Sequence, residues 1–138
     1  MIVVDTSVAL KWVLPEPGTE QAKRALRLAL IAPDVWRVEA ANGIRRAVRE
    51  SVGTQAEARE WLSILDDAPV QDVPTIGVLK QGLDLAMALG HPVYDCLFLA
   101  LAIDRDCRML TADEKFRRVV VEKSNQASRI VMLSDLSQ

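Results

Sequence analysis

The stretch YDCLFLALAIDRDCRMLTADEKF, residues 94–116, places a helix, a strand and the start of another helix in direct succession. Residues 95–104 are nearly all apolar, which predicts a buried helix headed by Asp95. Residues 109–111 form a short apolar run that predicts a strand, and Asp113 precedes a helix predicted over residues 114–123. Strands that alternate with helices in this way are typical of an α/β domain.

The same alternation extends outward to both ends of the chain. Further strands are predicted over residues 2–4, 33–36, 70–73 and 130–133. Further helices are predicted from residue 7 as far as Pro15, over 19–31, from 37 onward, over 55–67, and from Pro74 to Gly90. Strands separated by helices pair in parallel, so we expect a three-layer α/β/α domain around a central parallel sheet. Ligands in such folds bind beyond the carboxyl ends of the strands.

Two of these helices have faces that can be assigned from the 3.6-residue period. The helix over residues 19–31 is expected to carry Ala22, Ala25, Leu26, Ala29 and Leu30 on one face. The helix from residue 37 is expected to turn Val38, Ala41, Ile44 and Val48 inward. Its polar stripe then comprises Glu39, Asn42, Arg46 and Arg49.

Composition and length indicate an ordinary globular protein. The 138 residues, half of them hydrophobic and 26% charged, are expected to form one domain over residues 1–138. The start MIVVDTS lacks the basic region of a signal peptide, and the apolar stretch 93–103 is shorter than the ~20 residues that span a bilayer. We therefore expect a soluble cytoplasmic protein, without a membrane segment, in which Cys96 and Cys107 are reduced structural thiols.

Four acidic residues stand where predicted elements begin or end, and they are Asp5, Glu39, Asp95 and Asp113. Asp5 and Asp113 each follow a strand, so they belong to the sheet edge at which α/β folds bind ligands. Oxygen ligands of this kind suit Mg²⁺ or Mn²⁺, which hold water and phosphate oxygens for hydrolysis. The pattern therefore predicts a metal site and cleavage of phosphodiester bonds.

Each acid also has an ordinary structural explanation. Asp5, Asp95 and Asp113 are all possible helix N-caps, and Glu39 is placed to complement a helix dipole. The hydroxyl of Thr6 or Ser7 has the same two explanations, helix capping or a role in the site. Repetition at one sheet edge favours the site for the acids, whereas the hydroxyls stay undecided.

Other catalytic classes fit the composition poorly. His91 is the single histidine, which excludes a histidine-pair ribonuclease, and no G-x-S-x-G turn accompanies it to support a Ser-His-Asp hydrolase.

The net charge is −2, but 17 basic residues outnumber the acids by two once the four candidate ligands are set aside. Candidate phosphate contacts are Arg37, Arg45, Arg46, Arg49, Lys115, Arg117 and Arg118. The three tryptophans, Trp12, Trp36 and Trp61, are spaced as core or interface residues rather than as a base-stacking platform.

Four blocks together, VVDTSVAL, VEAANGIRRAV, YDCLFLALA and LTADEKF, resemble the signatures of the PIN-domain nucleases, and more closely those of VapC-type toxins from toxin–antitoxin pairs. The resemblance covers essentially the whole chain. It implies a Mg²⁺- or Mn²⁺-dependent endoribonuclease, with RNA as substrate and a small antitoxin as partner. The four acids of the family match Asp5, Glu39, Asp95 and Asp113. The family's hydroxyl residue after the first acid matches Thr6 or Ser7. Its asparagine matches Asn42, and the threonine of its T-x-D motif matches Thr111.

Three alternatives remain open at this level. A Mg²⁺-dependent deoxyribonuclease would use the same four acids. A phospho-acceptor receiver domain would need adjacent acids after its first strand, and Asp5 is followed by Thr6. A pure interaction protein would carry the acids as surface caps. Independently of these, apolar helix faces suggest a homodimer.

Overall fold

The fold is built on one five-stranded sheet, as seen in a computed structural model that describes residues 1–136. All four strand pairings are parallel, and the spatial order is β3-β2-β1-β4-β5. The strands are β1 (Ile2–Val4), β2 (Leu30–Pro33), β3 (Val70–Val73), β4 (Arg108–Thr111) and β5 (Ile130–Met132). This confirms the predicted central parallel sheet, with β3 at the predicted residues and β5 one residue shorter than expected.

Seven α-helices are found in the described part of the chain, and with the sheet they make the expected three-layer α/β/α arrangement. They are α1 (Thr6–Ala9), α2 (Thr19–Ala25), α3 (Trp36–Arg49), α4 (Gln55–Asp66), α5 (Leu79–Leu89), α6 (Val93–Asp104) and α7 (Glu114–Lys123). Short 3₁₀ turns extend α1 over Leu10–Trp12 and precede α5 over Thr75–Val78. Thr54 begins α4 with a capping box, and Gly90 ends α5 with φ of 62°, which favours glycine.

The strand order fixes where a ligand cleft can form. From β1 the chain builds the sheet first through β2 and β3, and later on the other side through β4 and β5. The connections that leave β1 and β4 therefore diverge, and a crevice opens between them at the carboxyl edge of the sheet. Asp5 lies at this point, and its backbone N–H donates to the carbonyl of Leu110, 2.9 Å away.

Helix α6 is the centre of the core. Its residues from Cys96 to Ala102 are each at most 2% exposed, as expected for a helix that is apolar on every side. It packs against β1, β2 and β4 on one side and α5 on the other. Cys96 and Cys107 are both free, and burial raises the pKa of the Cys96 thiol to about 11, which keeps it inert.

The second predicted helix was too long. Helix α2 ends at Ala25, and Leu30 and Ile31 belong to β2, which begins three residues before the predicted strand 33–36. All four residues of β2 are buried because it pairs with β1 and β3 in the middle of the sheet. A strand of this kind reads as a continuous apolar run, and periodicity does not distinguish such a run from a helix.

The inward face predicted for α3 was also wrong at Val38, which is 70% exposed. The buried residues of α3 are Trp36, Ala40, Gly43, Ile44 and Ala47. Trp36 fixes this rotation, since its ring is 1% exposed and its Nε1–H donates to Asp72 Oδ1 at 2.8 Å. Gly43 adds to it, because a Cβ there would lie 2.6 Å from Leu10 Cδ1.

Within residues 1–136, no single helix is both long enough and apolar enough to cross a membrane. Two consecutive segments, Thr75–Leu89 and Val93–Asp104, reach that length and composition together but bend by 118° at their junction.

Candidate active site

The four acids predicted from sequence all line one cleft of about 530 Å³ at the carboxyl edge of the sheet. Asp5 comes from the end of β1, Glu39 from α3, Asp95 from α6 and Asp113 from the start of α7. The other lining residues are Thr6, Ser7, Leu10, Val35, Val38, Asn42, Gly43, Arg46 and Tyr94. Thr111 does not line the cleft, because it is fully buried behind Asp5.

Asp5 forms the buried floor of this cleft and is 4% exposed. Its Oδ2 accepts hydrogen bonds from Ser7 Oγ at 2.6 Å and from Thr111 Oγ1 at 2.8 Å. It stands at the N-cap position of α1, yet its side chain caps no helix N–H. Burial raises the pKa of Asp5 to about 6 in spite of the two hydroxyl donors, and the nearby charges of Asp95 and Asp113 raise it further.

Two hydroxyl groups tie Asp5 to the strand beside it. Ser7 Oγ accepts from the backbone N–H of Ala112 at 3.0 Å, and Thr111 Oγ1 accepts from that of Asp113 at 3.0 Å. Each hydroxyl therefore accepts from the chain after β4 and donates to Asp5. Ser7 is thus an orienting group for Asp5 rather than a simple helix cap.

Asp113 is the true N-cap of α7, since its Oδ1 accepts from the backbone N–H of Phe116 at 3.0 Å. The ordinary structural explanation is therefore correct for this residue. It does not exclude a role in the site, because Asp113 also lines the cleft. Capping fixes one carboxylate oxygen and so fixes the direction of the other.

Glu39 lies in the first turn of α3 and lines the cleft. Thr6 Oγ1 donates to its Oε1 at 3.0 Å, so Thr6 and Ser7 each orient a different acid. Burial raises the pKa of Glu39 to about 7, and the charges of Asp5 and Asp95 act in the same direction. Asn42 follows one turn later, exposed at the rim of the cleft.

Asp95 is the third residue of α6 and not its cap, as Pro92 occupies the N-cap position. The prediction that Asp95 heads this helix was therefore wrong by two residues, because Val93 and Tyr94 already have helical geometry. Its Oδ2 lies 2.7 Å from Nε2 of His91. Burial raises the pKa of Asp95, while the hydrogen bond to His91 acts in the opposite direction.

The cleft concentrates negative charge without internal neutralisation. Among residues 1–136, none of the four carboxylates forms an ion pair with lysine or arginine, and His91 alone lies beside one. In the same part of the chain no group of three or more Asp, Glu, His or Cys side chains has the spacing of a complete metal cluster. Mg²⁺ usually takes one or two carboxylates and keeps several waters, so carboxylates around an open cleft suit it without forming a complete cage.

The basic residues named from sequence are not equivalent. Arg46 lines the cleft, whereas Arg45 lines a separate groove between α3 and α4. Arg37 is engaged elsewhere, because it stacks on Trp36 at 4.8 Å and its Nε donates to Asp72 at 2.8 Å. Arg117 pairs with Glu114, and the side chains of Arg49, Lys115 and Arg118 are exposed.

Five residues that line the cleft were not predicted as site residues, namely Leu10, Val35, Val38, Gly43 and Tyr94. The exposed ones among them are Tyr94 and Val38, at 56% and 70%. The signal for Tyr94 was its position directly before Asp95. Val38 could have been found only from the rotation of α3. The three tryptophans are not part of the cleft: Trp36 is buried, and Trp12 and Trp61 pack against the core.

Residues 2–122 of the chain match the family model of the PIN domain. The chain belongs to the PIN-domain family. Ribonuclease VapC9 of Mycobacterium tuberculosis is 33% identical to it over 114 residues, which cover 82% of this chain and 86% of that protein. A VapC ribonuclease of Mycobacterium bovis matches to the same extent. Ribonuclease VapC3 of Pyrobaculum aerophilum is 32% identical over 127 residues, 86% of this chain and 97% of that protein. Within the PIN domains, the chain is therefore of the VapC type.

Proposed function

We propose that this PIN domain is a Mg²⁺- or Mn²⁺-dependent endoribonuclease and the toxin of a toxin–antitoxin pair. One observation carries the metal-dependent part: four carboxylates from four separate elements line one cleft at the switch point of the sheet. The ribonuclease names of the VapC relatives support RNA as the substrate. Location in the cytoplasm stays a prediction.

Asp5 and Asp95 are the proposed central ligands, with Glu39 and Asp113 completing one ion's surroundings or holding a second. A bound Mg²⁺ or Mn²⁺ supplies a water nucleophile at neutral pH and offsets negative charge on the phosphate. Ser7 and Thr111 hold Asp5, and Thr6 holds Glu39, so the carboxylates are oriented before substrate binds. Asn42 is proposed as a polar contact at the rim.

Two further residues of the cleft suit a nucleic-acid strand. Arg46 brings a cation to the rim of an otherwise acidic cleft, where a guanidinium can bind a phosphate next to the one that is cleaved. Tyr94 offers an exposed ring beside Asp95, on which an unpaired base can stack. These contacts favour single-stranded or looped RNA over a duplex.

The direct test is incubation of the purified protein with labelled single-stranded RNA and with DNA of the same sequence. We expect cleavage of RNA with Mg²⁺ or Mn²⁺, and a loss to the uncatalysed background in excess EDTA that is reversed when the metal is restored. Attack by water predicts products with 5′-phosphate and 3′-hydroxyl ends. Equal cleavage in chelator would refute the metal mechanism, and preferential cleavage of DNA would favour the deoxyribonuclease alternative.

The proposed protein partner is a small antitoxin. An acid-lined cleft attracts an arginine or lysine side chain inserted by another protein, and such an insertion would block the site. This matches the position of the four carboxylates, which face an opening rather than a closed cavity.

The proposed homodimer has a candidate surface on α5 and the turn before it. An apolar stripe at helical spacing is exposed there, formed by Ile76, Leu79, Leu83 and Met87. The same stripe on a second copy of the chain can pack against this one across a two-fold axis, so we propose that a second copy covers it. Light scattering at micromolar concentration should give a mass of about twice 15.3 kDa. The double substitution Leu83→Lys and Met87→Lys places two charges on the stripe, so it should shift the measured mass towards 15.3 kDa. A monomeric mass for the unaltered protein would refute the dimer.

A further inference from the structure

His91 is held rigidly in the short link between α5 and α6. Gly90 has φ of 62° and the backbone N–H of His91 donates to Ala86 O at 3.1 Å, which closes the end of α5. Pro92, with φ of −54°, then leads into α6. The backbone on both sides of His91 therefore has little freedom.

The side chain of His91 contacts one cleft acid, Asp95, and the residue whose N–H another cleft acid caps, Phe116. Its Nε2 lies 2.7 Å from Oδ2 of Asp95, and this ring is 12% exposed. On another side the ring packs against Phe116, with centroids 5.0 Å apart and planes tilted by 49°. Phe116 is fully buried, and its backbone N–H is the one that Asp113 caps. His91 thus touches Asp95 directly and braces the turn that carries Asp113.

The hydrogen bond restricts how the Asp95 carboxylate can turn. With Nε2 protonated, the ring donates to Oδ2 and occupies that oxygen, so Oδ1 is the atom left for a ligand in the cleft. Asp95 has no other hydrogen-bonding side chain within residues 1–136. Without His91, the carboxylate would rotate about its side-chain bonds, and the charge of Asp113 would push against it.

We propose that His91 is a positioning residue, whose Nε2 hydrogen bond holds Asp95 in its cation-binding orientation. The inference rests on the proposed function, because it gives Asp95 a metal to bind. It differs from a purely structural role, in which His91 only fills space against Phe116. Partners of metal-binding carboxylates typically alter affinity by about 10- to 100-fold when they are removed.

Three variants separate the hydrogen bond from the packing. His91→Phe keeps an aromatic ring against Phe116 and removes the donor, His91→Leu removes both, and His91→Gln keeps an N–H near the position of Nε2. The readout is Mn²⁺ affinity, measured as free Mn²⁺ by electron paramagnetic resonance below each variant's metal-free melting temperature. We expect His91→Phe to bind Mn²⁺ about 10- to 100-fold more weakly than the unaltered protein, and His91→Gln to recover most of the loss.

The outcomes distinguish this inference from the proposed function. Unaltered Mn²⁺ affinity in His91→Phe would overturn the role of His91 and leave the metal site intact. An unaltered protein that binds no Mn²⁺ would overturn the metal site, and the inference with it. If His91→Leu does not fold, the comparison of phenylalanine with glutamine still decides, since these two differ in the donor. Equal weakening in both would indicate loss of shape rather than loss of the hydrogen bond, and would also overturn the proposal.

Discussion

Replacing Asp95 with asparagine should lower RNA cleavage by about 10³-fold or more, the usual scale for loss of a group that acts as part of a catalytic unit. The same change should leave the free energy of unfolding of the metal-free protein unchanged or raise it by roughly 0.5–2 kcal/mol, because it removes one of four crowded negative charges. Asparagine still offers an oxygen to His91, so the local hydrogen bond is retained.

The metal response of Asp95→Asn is the decisive measurement. A ligand at 100 times its dissociation constant stabilises a folded protein by about 2.7 kcal/mol, and most of this gain should vanish in the variant. Thermal melts of both proteins, each with and without Mn²⁺, measure the gain. Asp104→Asn is a matched control, because it makes the same charge change on α6 at an exposed position outside the cleft. If Mn²⁺ stabilises the Asp95→Asn variant as much as it stabilises the unaltered protein, Asp95 is not a metal ligand.

Replacing Asp5 with asparagine should have an effect of the same size on cleavage, about 10³-fold or more, and a clearer effect on stability. The ordinary pKa of an aspartate is 3.8, and burial raises that of Asp5 to about 6. An acid that holds its proton more tightly in the folded state stabilises the fold at low pH, and this contribution is lost as the pH rises through the folded pKa. Glu39, raised from 4.5 to about 7, has the same sign.

The metal-free protein should therefore lose stability as the pH rises from about 4 to about 7, the range between the ordinary and the raised pKa values of these two acids, and Asp5→Asn should remove part of that loss. At pH 8 we expect the variant to unfold with a free energy about 1–2 kcal/mol higher than the unaltered protein. Urea denaturation of both proteins at about pH 4 and at about pH 8, in the presence of chelator, measures the difference. A variant less stable than the unaltered protein at pH 8 would contradict the buried-charge argument.

Asp34 is the matched control for Asp5. It follows β2 at the same edge of the sheet, but it is exposed and accepts hydrogen bonds from the hydroxyl and N–H of Thr75, which lower its pKa. A lowered pKa means that the carboxylate stabilises the fold above its unfolded pKa and loses this contribution as the pH falls. Asp34→Asn should therefore be slightly less stable at pH 8, the opposite sign to Asp5→Asn, with cleavage within about twofold of the unaltered protein.

The sequence determined the fold class and the identity of the four acids. Alternating apolar runs and helical periods specify parallel strands joined by helices, because a strand paired in parallel must return through a crossover. The unbroken apolar surface of α6 marked the core helix, since a helix without a polar face can only be buried. Asp5 and Asp113 could then be placed at the carboxyl edge of the sheet, because each of them follows a strand in the sequence.

The tertiary structure decided what local patterns leave ambiguous. The run from Leu30 to Pro33 became a strand because two neighbouring strands supply its hydrogen bonds, and this pairing is not local. The rotation of α3 was set by the buried ring of Trp36, which exposed Val38 and turned Glu39 towards the cleft. The fold also made the surroundings of Asp5 and Asp34 different, because Thr111, 106 positions further along the chain, joins Ser7 in covering the Asp5 carboxylate, whereas Asp34 is exposed. Burial, and with it the charge state of each acid, is a property of the neighbours that the fold brings together.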